Sequence, residues 1–408
     1  MSVIEFPQII ERGCGLDVHQ KTVVATIRGV DITTETLTFG TFTSDLEKLT
    51  CWMQNHGVTH VAMESTGVYW KPVYYVLEPF FEILLVNARH IKNVPGHKTD
   101  KKDSEWIAKL LLSGLLKGSF IPDQTIRELR VLQRHKKKLI QQRTAEKNRL
   151  QNTLEDANIK LGSVISDVFG KTGIAIIEKL SEGESDPVTL SGLAKGSLVK
   201  KKDLLQQALH GRFTEHHQFM LQLILNTIGH INEVIETLEK RMDCYLMQMK
   251  NDVTLLQTIP GVSKQVATGI LSEIGTDMSK FNSFKHLASW SGVCPGNNES
   301  AGKKKSSRTT QGNKYLKTTL IEAAWSVSHT KNTHLSYKYH VLAKRRGSKK
   351  AAMAIGHKLL TAAYHILRDK TQYCEPQVSK EVELQRKKSE MERLQKRLDR
   401  LKISASPS

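Results

Sequence analysis

The sequence is poor in cysteine and contains no long apolar run, and these two absences narrow its class. Its five cysteines are scattered over 408 residues, with no CxxC pair and no His/Cys cluster at the spacing of a zinc site. No segment approaches the ~20 consecutive apolar residues of a membrane span, and the N-terminus has no basic stretch followed by an apolar core. We therefore expect a reduced, cytoplasmic protein without structural zinc, a signal peptide or a membrane partner.

A nucleotide-binding P-loop is also missing, because no segment fits the pattern GxxxxGK followed by Ser or Thr. Acidic residues are few relative to basic ones: 41 Asp and Glu stand against 60 Lys and Arg, so the formal charge is +19. Residues 300–370 alone hold sixteen Lys and Arg but only two acids, Glu322 and Asp369. Such a local excess indicates a surface that binds a polyanion, and nucleic acid is the leading candidate.

Periodicity and composition divide the chain into four predicted segments. Residues 1–122 show three consecutive strand signals and then alternate helix and strand, which predicts an α/β domain with helices covering one sheet. Residues 123–251 predict long helices, and residues 252–372 predict a mainly α-helical domain. Residues 373–408 are charged and predict a solvated helical tail.

A heptad repeat marks the second long helix, which is predicted over about residues 202–251. Apolar residues recur every seven positions in two sets: Ile224, Ile231, Leu238 and Tyr245, and Ile228, Ile235, Met242 and Met249. Such a seam over four repeats predicts a coiled coil that joins at least two chains. Packing against the first long helix of the same chain is an equally good interpretation.

Four carboxylates occur where the predicted sheet would bring them together. Asp17 lies within the first strand, Glu64 ends the fourth, and Asp100 and Asp103 lie three residues apart at the start of the domain's last helix. An acidic helix start is common and by itself needs no function. However, a carboxylate in a buried strand is costly unless it is paired or bound to metal. In a ribonuclease-H-like fold these positions meet, and two Mg²⁺ ions would neutralise the four acids.

Four motifs then occur in order along the chain: GLDVHQKTVV, VAMESTGVYWKPVYYVLE, HKTDKKDSEWIAKLL and IPGVSKQVATGILSEIG. Together they resemble the insertion-sequence-110 family of transposases and related site-specific DNA invertases, from residue 13 to about residue 368. The resemblance implies a RuvC-like N-terminal domain whose metal-binding acids are Asp17, Glu64, Asp100 and Asp103, with Mg²⁺ bound and Mn²⁺ as a substitute. It also implies a coiled-coil connector and a C-terminal transposase domain whose serine attacks DNA.

The partners are implied by the same resemblance. Family members act on target and donor DNA with a structured non-coding bridge RNA that pairs with both. The family also suggests a homo-oligomer, a dimer or tetramer in which the acid domain of one protomer meets the serine domain of another. For this chain the resemblance implies a nucleoid-associated protein of the bacterial cytoplasm.

The nucleophilic serine is predicted at Ser300. The family pattern places it before Gly-Lys in a basic loop, and Ser300-Ala301-Gly302-Lys303 fits, with alanine where many relatives have glycine. The other candidates are the remaining serines nearby: Ser306, Ser307, Ser289 and Ser291, of which the last two are predicted in or near a helix. A serine hydroxyl needs an activating base or metal. The basic residues that would hold the phosphate are Lys303, Lys304, Lys305 and Arg308.

Two further segments predict contacts with nucleic acid. Residues 255–275 predict two short helices joined by Pro260-Gly261-Val262, and Gly261 would offer its N–H to a phosphate as in a helix-hairpin-helix module. A simple helical corner is the alternative. A basic run is predicted to contact backbone phosphates: Lys344, Arg345, Arg346, Lys349 and Lys350.

These features together predict a DNA recombinase that uses four acids, Mg²⁺ and a covalent phosphoserine intermediate. The covalent bond conserves the energy of the phosphodiester, so the missing P-loop is expected. Two alternatives remain. One is a RuvC-like structure-selective nuclease or Holliday-junction resolvase, in which water replaces the serine. The other is a non-catalytic nucleic-acid-binding protein whose acids only pair with its basic surface.

Overall fold

A computed structural model describes residues 9–65, 67–87, 103–296, 298–300, 303–306 and 309–375, and five positions between 391 and 398. For residues 298–300 and 303–306 it describes the backbone alone. The chain divides into two compact units, Met1–Ile121 and Pro122–Ser408. Among the helices in these ranges, none combines the length and the hydropathy that crossing a membrane would require.

The first unit is built on a five-stranded mixed sheet. Its strands are β1 Arg12–Val18, β2 Thr22–Gly29, β3 Glu35–Gly40, β4 His60–Glu64 and β5 Glu82–Val86. They are arranged in the order β3-β2-β1-β4-β5, in which β1, β2 and β3 pair antiparallel while β4 and β5 extend the sheet in parallel from β1. The α/β prediction for this part of the chain is confirmed.

Helices cover both faces of this sheet, because the strands alternate apolar side chains between two cores. The helices are α1 Thr43–Asn55, α2 Trp70–Leu77 and α3 Asp103–Leu112. One face packs residues such as Leu16 and Val23 against Leu46 and Leu49 of α1. The other face packs residues such as Ala62 against Ile107 and Leu110 of α3.

The second unit is mainly helical, as predicted. Its first part contains α4 Gln124–Asp156, α5 Leu161–Val164, α6 Lys171–Ser181, α7 Pro187–Ser191, a 3₁₀ helix Gly196–Lys201, α8 Lys202–Leu209 and α9 Glu215–Gln248. Its second part contains α10 Lys250–Gln257, α11 Lys264–Ile274, a 3₁₀ helix Met278–Lys280, α12 Phe284–Ser291, β6 Asn298–Ser300, β7 Lys303–Ser306, α13 Lys314–His329, α14 His334–Arg346 and α15 Ser348–Asp369. The single helix predicted over 202–251 is wrong, since α8 and α9 are separate.

The heptad seam of α9 packs against α4 of the same chain. Ile231 and Ile235 are buried in one cluster with Leu139 of α4. The two helices run antiparallel, since Tyr245 donates a hydrogen bond to Glu128 at 2.7 Å near one end of the pair, whereas Ile224 joins the core around Leu150 and Leu154 near the other. The interpretation as packing within one chain is therefore confirmed. Six of the eight seam residues are buried within this chain, whereas Leu238 and Tyr245 are half-buried. An oligomer remains a prediction.

We expect Ile231→Ala to destabilise the second unit rather than to dissociate an oligomer. Ile231 is 8% exposed, and its truncation leaves a cavity between α4 and α9. The expected loss in the free energy of unfolding is about 2–5 kcal/mol, to be measured by chemical denaturation. Leu223→Ala is the matched control on the same helix, because Leu223 is 51% exposed and its loss should cost under about 0.5 kcal/mol. Equal losses in both variants would contradict this packing.

Candidate functional site

Three of the four predicted acids belong to one edge of the sheet in the first unit. Asp17 is the next-to-last residue of β1, and Glu64 is the last residue of β4. These strands are neighbours and parallel, with Leu16 opposite Met63, so both acids lie at the carboxyl ends of their strands. Ligands of α/β sheets bind at such ends. Asp100 lies outside the described residues.

Asp103 reaches the same edge because α3 lies directly on β1. A Cβ atom on Gly15 would come 2.1 Å from the carbonyl oxygen of Ser104 and 2.4 Å from the amide nitrogen of Ala108. Only glycine permits this approach. In addition, the hydroxyl of Ser104 lies 2.8 Å from that of Thr26 on β2 and forms a buried hydrogen bond with it. The first turn of α3, which contains Asp103, is thereby fixed over the strand that carries Asp17.

The electrostatics of Asp17 show that these acids interact. Burial is the largest cause that raises the pKa of Asp17, and the negative charges of Asp103 and Glu64 raise it further. The neighbouring His19 opposes them, since its Nε2 lies 3.0 Å from Asp17 Oδ2 and lowers that pKa. A half-buried carboxylate facing two others is unfavourable without a compensating cation.

The described acids do not by themselves complete a metal site. Within the part of the chain that the structure describes, no three His, Cys, Asp or Glu side chains lie close enough together to hold a metal ion. The chemistry of the donors nevertheless fits Mg²⁺, which prefers carboxylate oxygens and keeps positions for water and phosphate. A four-acid site therefore stays a prediction.

Ser300 belongs to a β-hairpin rather than to the irregular loop expected from the sequence. It is the last residue of β6 and is paired with Lys303, the first residue of β7, so only Ala301 and Gly302 separate the strands. Lys304 and Lys305 follow in β7. Among the alternatives, Ser306 ends β7 opposite Asn298. Ser307 and Arg308 lie outside the described residues.

The two earlier serines lie in α12, as the sequence predicted. Ser291 is fully buried, and its hydroxyl donates to the carbonyl oxygen of Ala288 at 2.9 Å. Its hydroxyl is thus used within the helix, whereas Ser289 is exposed. Ser300 as the nucleophile stays a prediction.

The base of this hairpin is held by contacts that the sequence did not reveal. The amide of Thr310 donates to the carbonyl oxygen of Cys294 at 3.3 Å, and Thr309 forms a bridge to Pro295. Lys317 of α13 donates to the hydroxyl of Thr309 at 2.6 Å. These paired residues, 294–295 and 309–310, form the base of the hairpin, and contacts hold this base in place next to the start of α13.

A buried carboxylate lies behind this base. Glu273, near the end of α11, is 2% exposed, and its two oxygens accept hydrogen bonds from Arg134 of α4 at 2.8 and 2.7 Å. Arg130, one turn earlier on α4, donates to the carbonyl oxygen of Glu273 at 2.6 Å. Asn313 donates its side-chain amide to Glu273 Oε2 at 2.6 Å. Sequence reasoning missed this network because its members are far apart in the chain.

Gly261 has a packing role in the structure. Its φ is 82°, and a Cβ atom there would come 2.5 Å from Cγ2 and 3.0 Å from the amide nitrogen of Val327 on α13. A helical corner that packs tightly on α13 accounts for the glycine. A contact between Gly261 and a phosphate stays a prediction.

The predicted basic run spans the junction of two helices. Lys344, Arg345 and Arg346 end α14, while Lys349 and Lys350 lie in the first turn of α15, and all five are exposed. None of the five forms an ion pair with an acid among the residues described. Two lysines at a helix N-terminus oppose the positive end of the helix dipole, and a bound anion would relieve that repulsion.

Matches to known protein families include most of the regions just described. One family model, described as a transposase, matches residues 14–159, and another, described as the transposase IS116/IS110/IS902 family, matches residues 253–340. The pilin gene-inverting protein of Moraxella bovis is 24% identical over 351 residues, which are 80% of this chain and 88% of that protein. The pilin gene-inverting protein of Moraxella lacunata is 24% identical over 377 residues, which are 87% of this chain and 95% of that protein. The first matched segment contains the acid edge and the second contains the Ser300 hairpin, so this chain belongs to the IS110 family of transposases.

Proposed function

We propose that this chain is a DNA recombinase that cleaves and rejoins strands of target and donor DNA through a covalent 5′-phosphoserine at Ser300. The observation that carries the proposal is geometric: Asp17 and Glu64 lie at the carboxyl ends of neighbouring parallel strands, and the first turn of α3, which contains Asp103, packs on the strand of Asp17. Three antiparallel strands extended by two parallel ones, with helices on both faces, support a ribonuclease-H-like or RuvC-like fold for this unit. The similarity to pilin gene-inverting proteins supports a reaction that rearranges DNA.

The proposed metal site consists of Asp17, Glu64, Asp103 and Asp100. Mg²⁺, or Mn²⁺ as a substitute, would stabilise the negative charge that develops on the scissile phosphate. The acids hold the site at the sheet edge, and the packing of Ser104 on Gly15 orients Asp103 toward it. His19 keeps Asp17 in place through its hydrogen bond.

The strand transfer follows from the chemistry of a serine. The hydroxyl oxygen of Ser300 attacks phosphorus, its proton passes to a base, and the bond from phosphorus to the 3′ oxygen breaks. The leaving 3′ oxygen takes a proton from the protonated base or from water, so the products are a 5′-phosphoserine and a free 3′ hydroxyl. A 3′ hydroxyl of another strand then attacks the same phosphorus, and the serine oxygen leaves and regains a proton. The number of ester bonds is conserved, so no nucleotide hydrolysis is needed.

Basic residues around the hairpin would bind the phosphates of the DNA. Lys303, Lys304 and Lys305 follow the serine in the chain, and together with Arg308 they would stabilise the charge on the transferred phosphate. Lys344, Arg345 and Arg346 would bind flanking backbone phosphates without reading bases. We therefore propose that a structured bridge RNA supplies the recognition of target and donor DNA, in a dimer or tetramer of the chain associated with the bacterial nucleoid.

The alternative function is a structure-selective nuclease or Holliday-junction resolvase. Its support is that the three described acids of the predicted metal site, Asp17, Glu64 and Asp103, lie in the first unit, whereas Ser300 lies in the second. Such an enzyme needs only the acids and water. It would leave no protein joined to DNA.

One experiment separates these functions. The chain is expressed in bacteria together with the non-coding DNA that flanks its reading frame, and protein–DNA complexes are recovered under denaturing conditions. We expect DNA covalently attached to the protein, and a co-purified RNA that pairs with the sequences at both ends of the attached fragments. Cleaved DNA without any attached protein would favour the resolvase, and a preparation with neither cleavage nor adduct would favour a non-catalytic binding protein.

The basic run should contribute to affinity through phosphates alone. Replacing Lys344, Arg345, Arg346, Lys349 and Lys350 by alanine should reduce the slope of log affinity against log salt by about 0.9 per lost contact on duplex DNA, with equal effects on unrelated sequences. The measurement is fluorescence anisotropy over a range of salt concentrations. A variant with Lys179→Ala and Lys240→Ala is the control, because those lysines are paired with Glu182 at 2.6 Å and Glu236 at 2.7 Å. An unchanged slope in the first variant would identify the run as a solvated face.

A further inference from the structure

Glu273 lies at the centre of a buried network of charged and amide side chains. Its carboxylate is 2% exposed and is surrounded by Arg134, which binds both oxygens, and by Arg130, whose Nε lies 3.4 Å from Oε2. Burial lowers the pKa of Arg130 to about 10, which the charge of Glu273 opposes. The Glu273 carboxylate neutralises the guanidinium groups of Arg130 and Arg134, because a buried charge without a partner of opposite sign is strongly unfavourable.

The fourth member of the network connects it to the Ser300 hairpin. Asn313 is the N-cap of α13, where its Oδ1 accepts from the amides of Tyr315 and Leu316 at 3.0 and 3.1 Å. Its own backbone amide donates to the carbonyl oxygen of Trp290, near the end of α12, the helix that precedes the hairpin. Its side-chain amide is left to donate to Glu273 at 2.6 Å. Asn313 thus closes the hairpin segment at its base while it binds the buried carboxylate.

The other side of the network belongs to α4. This helix begins at Gln124, three residues after the end of the first unit at Ile121. Arg130 and Arg134 lie on its second and third turns, and the ring of Tyr315 packs over Arg134 at 4.4 Å. The helix that leads directly from the acid-bearing unit is therefore tied, through one carboxylate, to the base of the hairpin that carries Ser300.

We propose that Glu273 is a positioning residue, which holds the base of the Ser300 hairpin in a fixed orientation on α4 through Asn313. The inference rests on the proposed role of Ser300 as the nucleophile. A serine at the end of a two-stranded hairpin moves with the hairpin, so a small rotation at the base displaces the hydroxyl from its line of attack on phosphorus. In the proposed role the carboxylate of Glu273 touches neither DNA nor metal, and it acts through Asn313.

The most selective test is Asn313→Ser. Serine also caps helices well, so the start of α13 is retained, but its side chain has no amide to donate to Glu273. Glu273 keeps both arginines in this variant, so the buried ion pair survives. We expect the single-turnover rate of adduct formation to fall at least tenfold, while the dissociation constant for duplex DNA changes less than twofold. Deuterium exchange at the Thr310 amide should be faster, and exchange in α11 and α13 should be unchanged.

A second variant and a matched control complete the test. Glu273→Gln removes the charge and should produce the same two changes, with an additional loss of thermal stability because two guanidinium groups lose the negative charge beside them. Glu239→Gln is the control, since Glu239 also pairs with a residue of α4, Lys136 at 2.6 Å, but has no contact with the hairpin in the described structure. It should leave the adduct rate and the exchange of Thr310 at wild-type values.

The outcomes separate this inference from the proposed function. Unchanged exchange at Thr310 in Asn313→Ser would overturn the positioning role even if the wild-type protein forms its adduct normally. Faster exchange throughout α11 and α13 would also overturn it, because it would mean general destabilisation. If the wild-type protein forms no adduct, the proposed function fails, while the exchange measurement still decides whether Glu273 fixes the hairpin.

Discussion

Ser300→Ala is expected to remove the covalent protein–DNA adduct and to lower strand cleavage by about a thousandfold or more. The reason is chemical: alanine has no oxygen to attack phosphorus, and the acid edge alone then has no nucleophile other than water. Ser300 is the last residue of β6, so its loss should leave the base contacts of Thr310 and Asn313 intact. The measurement is denaturing electrophoresis of radiolabelled DNA with the full chain, Mg²⁺ and the co-purified RNA. Binding to DNA should stay within about twofold, because one hydroxyl adds little to a phosphate-dominated interface.

Ser306→Ala in the same hairpin provides the matched control for Ser300→Ala. Ser306 ends β7 opposite Asn298, on the other strand and away from the pair formed by Ser300 and Lys303. We expect it to retain the adduct. If the adduct instead vanishes in Ser306→Ala, or in Ser307→Ala, and persists in Ser300→Ala, the covalent mechanism stands with a different serine. If no serine variant removes cleavage, water is the nucleophile and the resolvase function replaces the recombinase.

The sheet and its acid edge could be predicted because their signals are local. The strand GLDVHQ has its acid between Leu16 and Val18, and the apolar run of THVAMES ends at Glu64. The order of these strands along the chain limits which strands can be neighbours. The alternation of strand and helix then places Asp17 and Glu64 at the same edge. The seam of α9 was also visible as a repeat. The repeat could not predict whether the seam packs against its own chain or against a second chain, because both arrangements bury the same face of the helix.

The hairpin and the Glu273 network could not be predicted, because their signals are not periodic. Residues 298–306 are almost entirely polar, so no apolar alternation marks a strand. Glu273 resembles an ordinary acid near the end of an amphipathic helix. Its burial depends on Arg134, 139 residues away in the chain, and on Asn313, 40 residues away. A local sequence pattern gives no information on which residues so far apart in the chain will become partners.

Asp17→Asn is expected to abolish cleavage and, unlike most changes at a half-buried position, to leave the fold at least as stable without metal. Asp17 is a proposed metal ligand, and an amide cannot replace its charge, so we expect a rate loss of about a thousandfold or more. Its charge faces those of Glu64 and Asp103, and burial and this repulsion raise its pKa. An acid whose pKa is raised in the folded state binds protons more tightly there, so its ionised form destabilises the fold as the pH rises through that value. The neutral asparagine avoids this penalty at neutral pH.

Thermal unfolding in EDTA and in Mg²⁺ tests the metal site independently of activity. In EDTA, Asp17→Asn should unfold at or above the wild-type temperature. Adding Mg²⁺ at ~100 times its dissociation constant should stabilise the wild-type protein by about 2.7 kcal/mol and should have little effect on the variant. Glu47→Gln is the matched control, because Glu47 is an exposed acid on α1, which packs on the opposite face of the sheet from α3. It should behave as wild type in both buffers. A variant that loses cleavage yet still gains the full stabilisation from Mg²⁺ would show that Asp17 does not bind the ion, and its role would then be to hold His19 and the end of β1 beside the reacting phosphate.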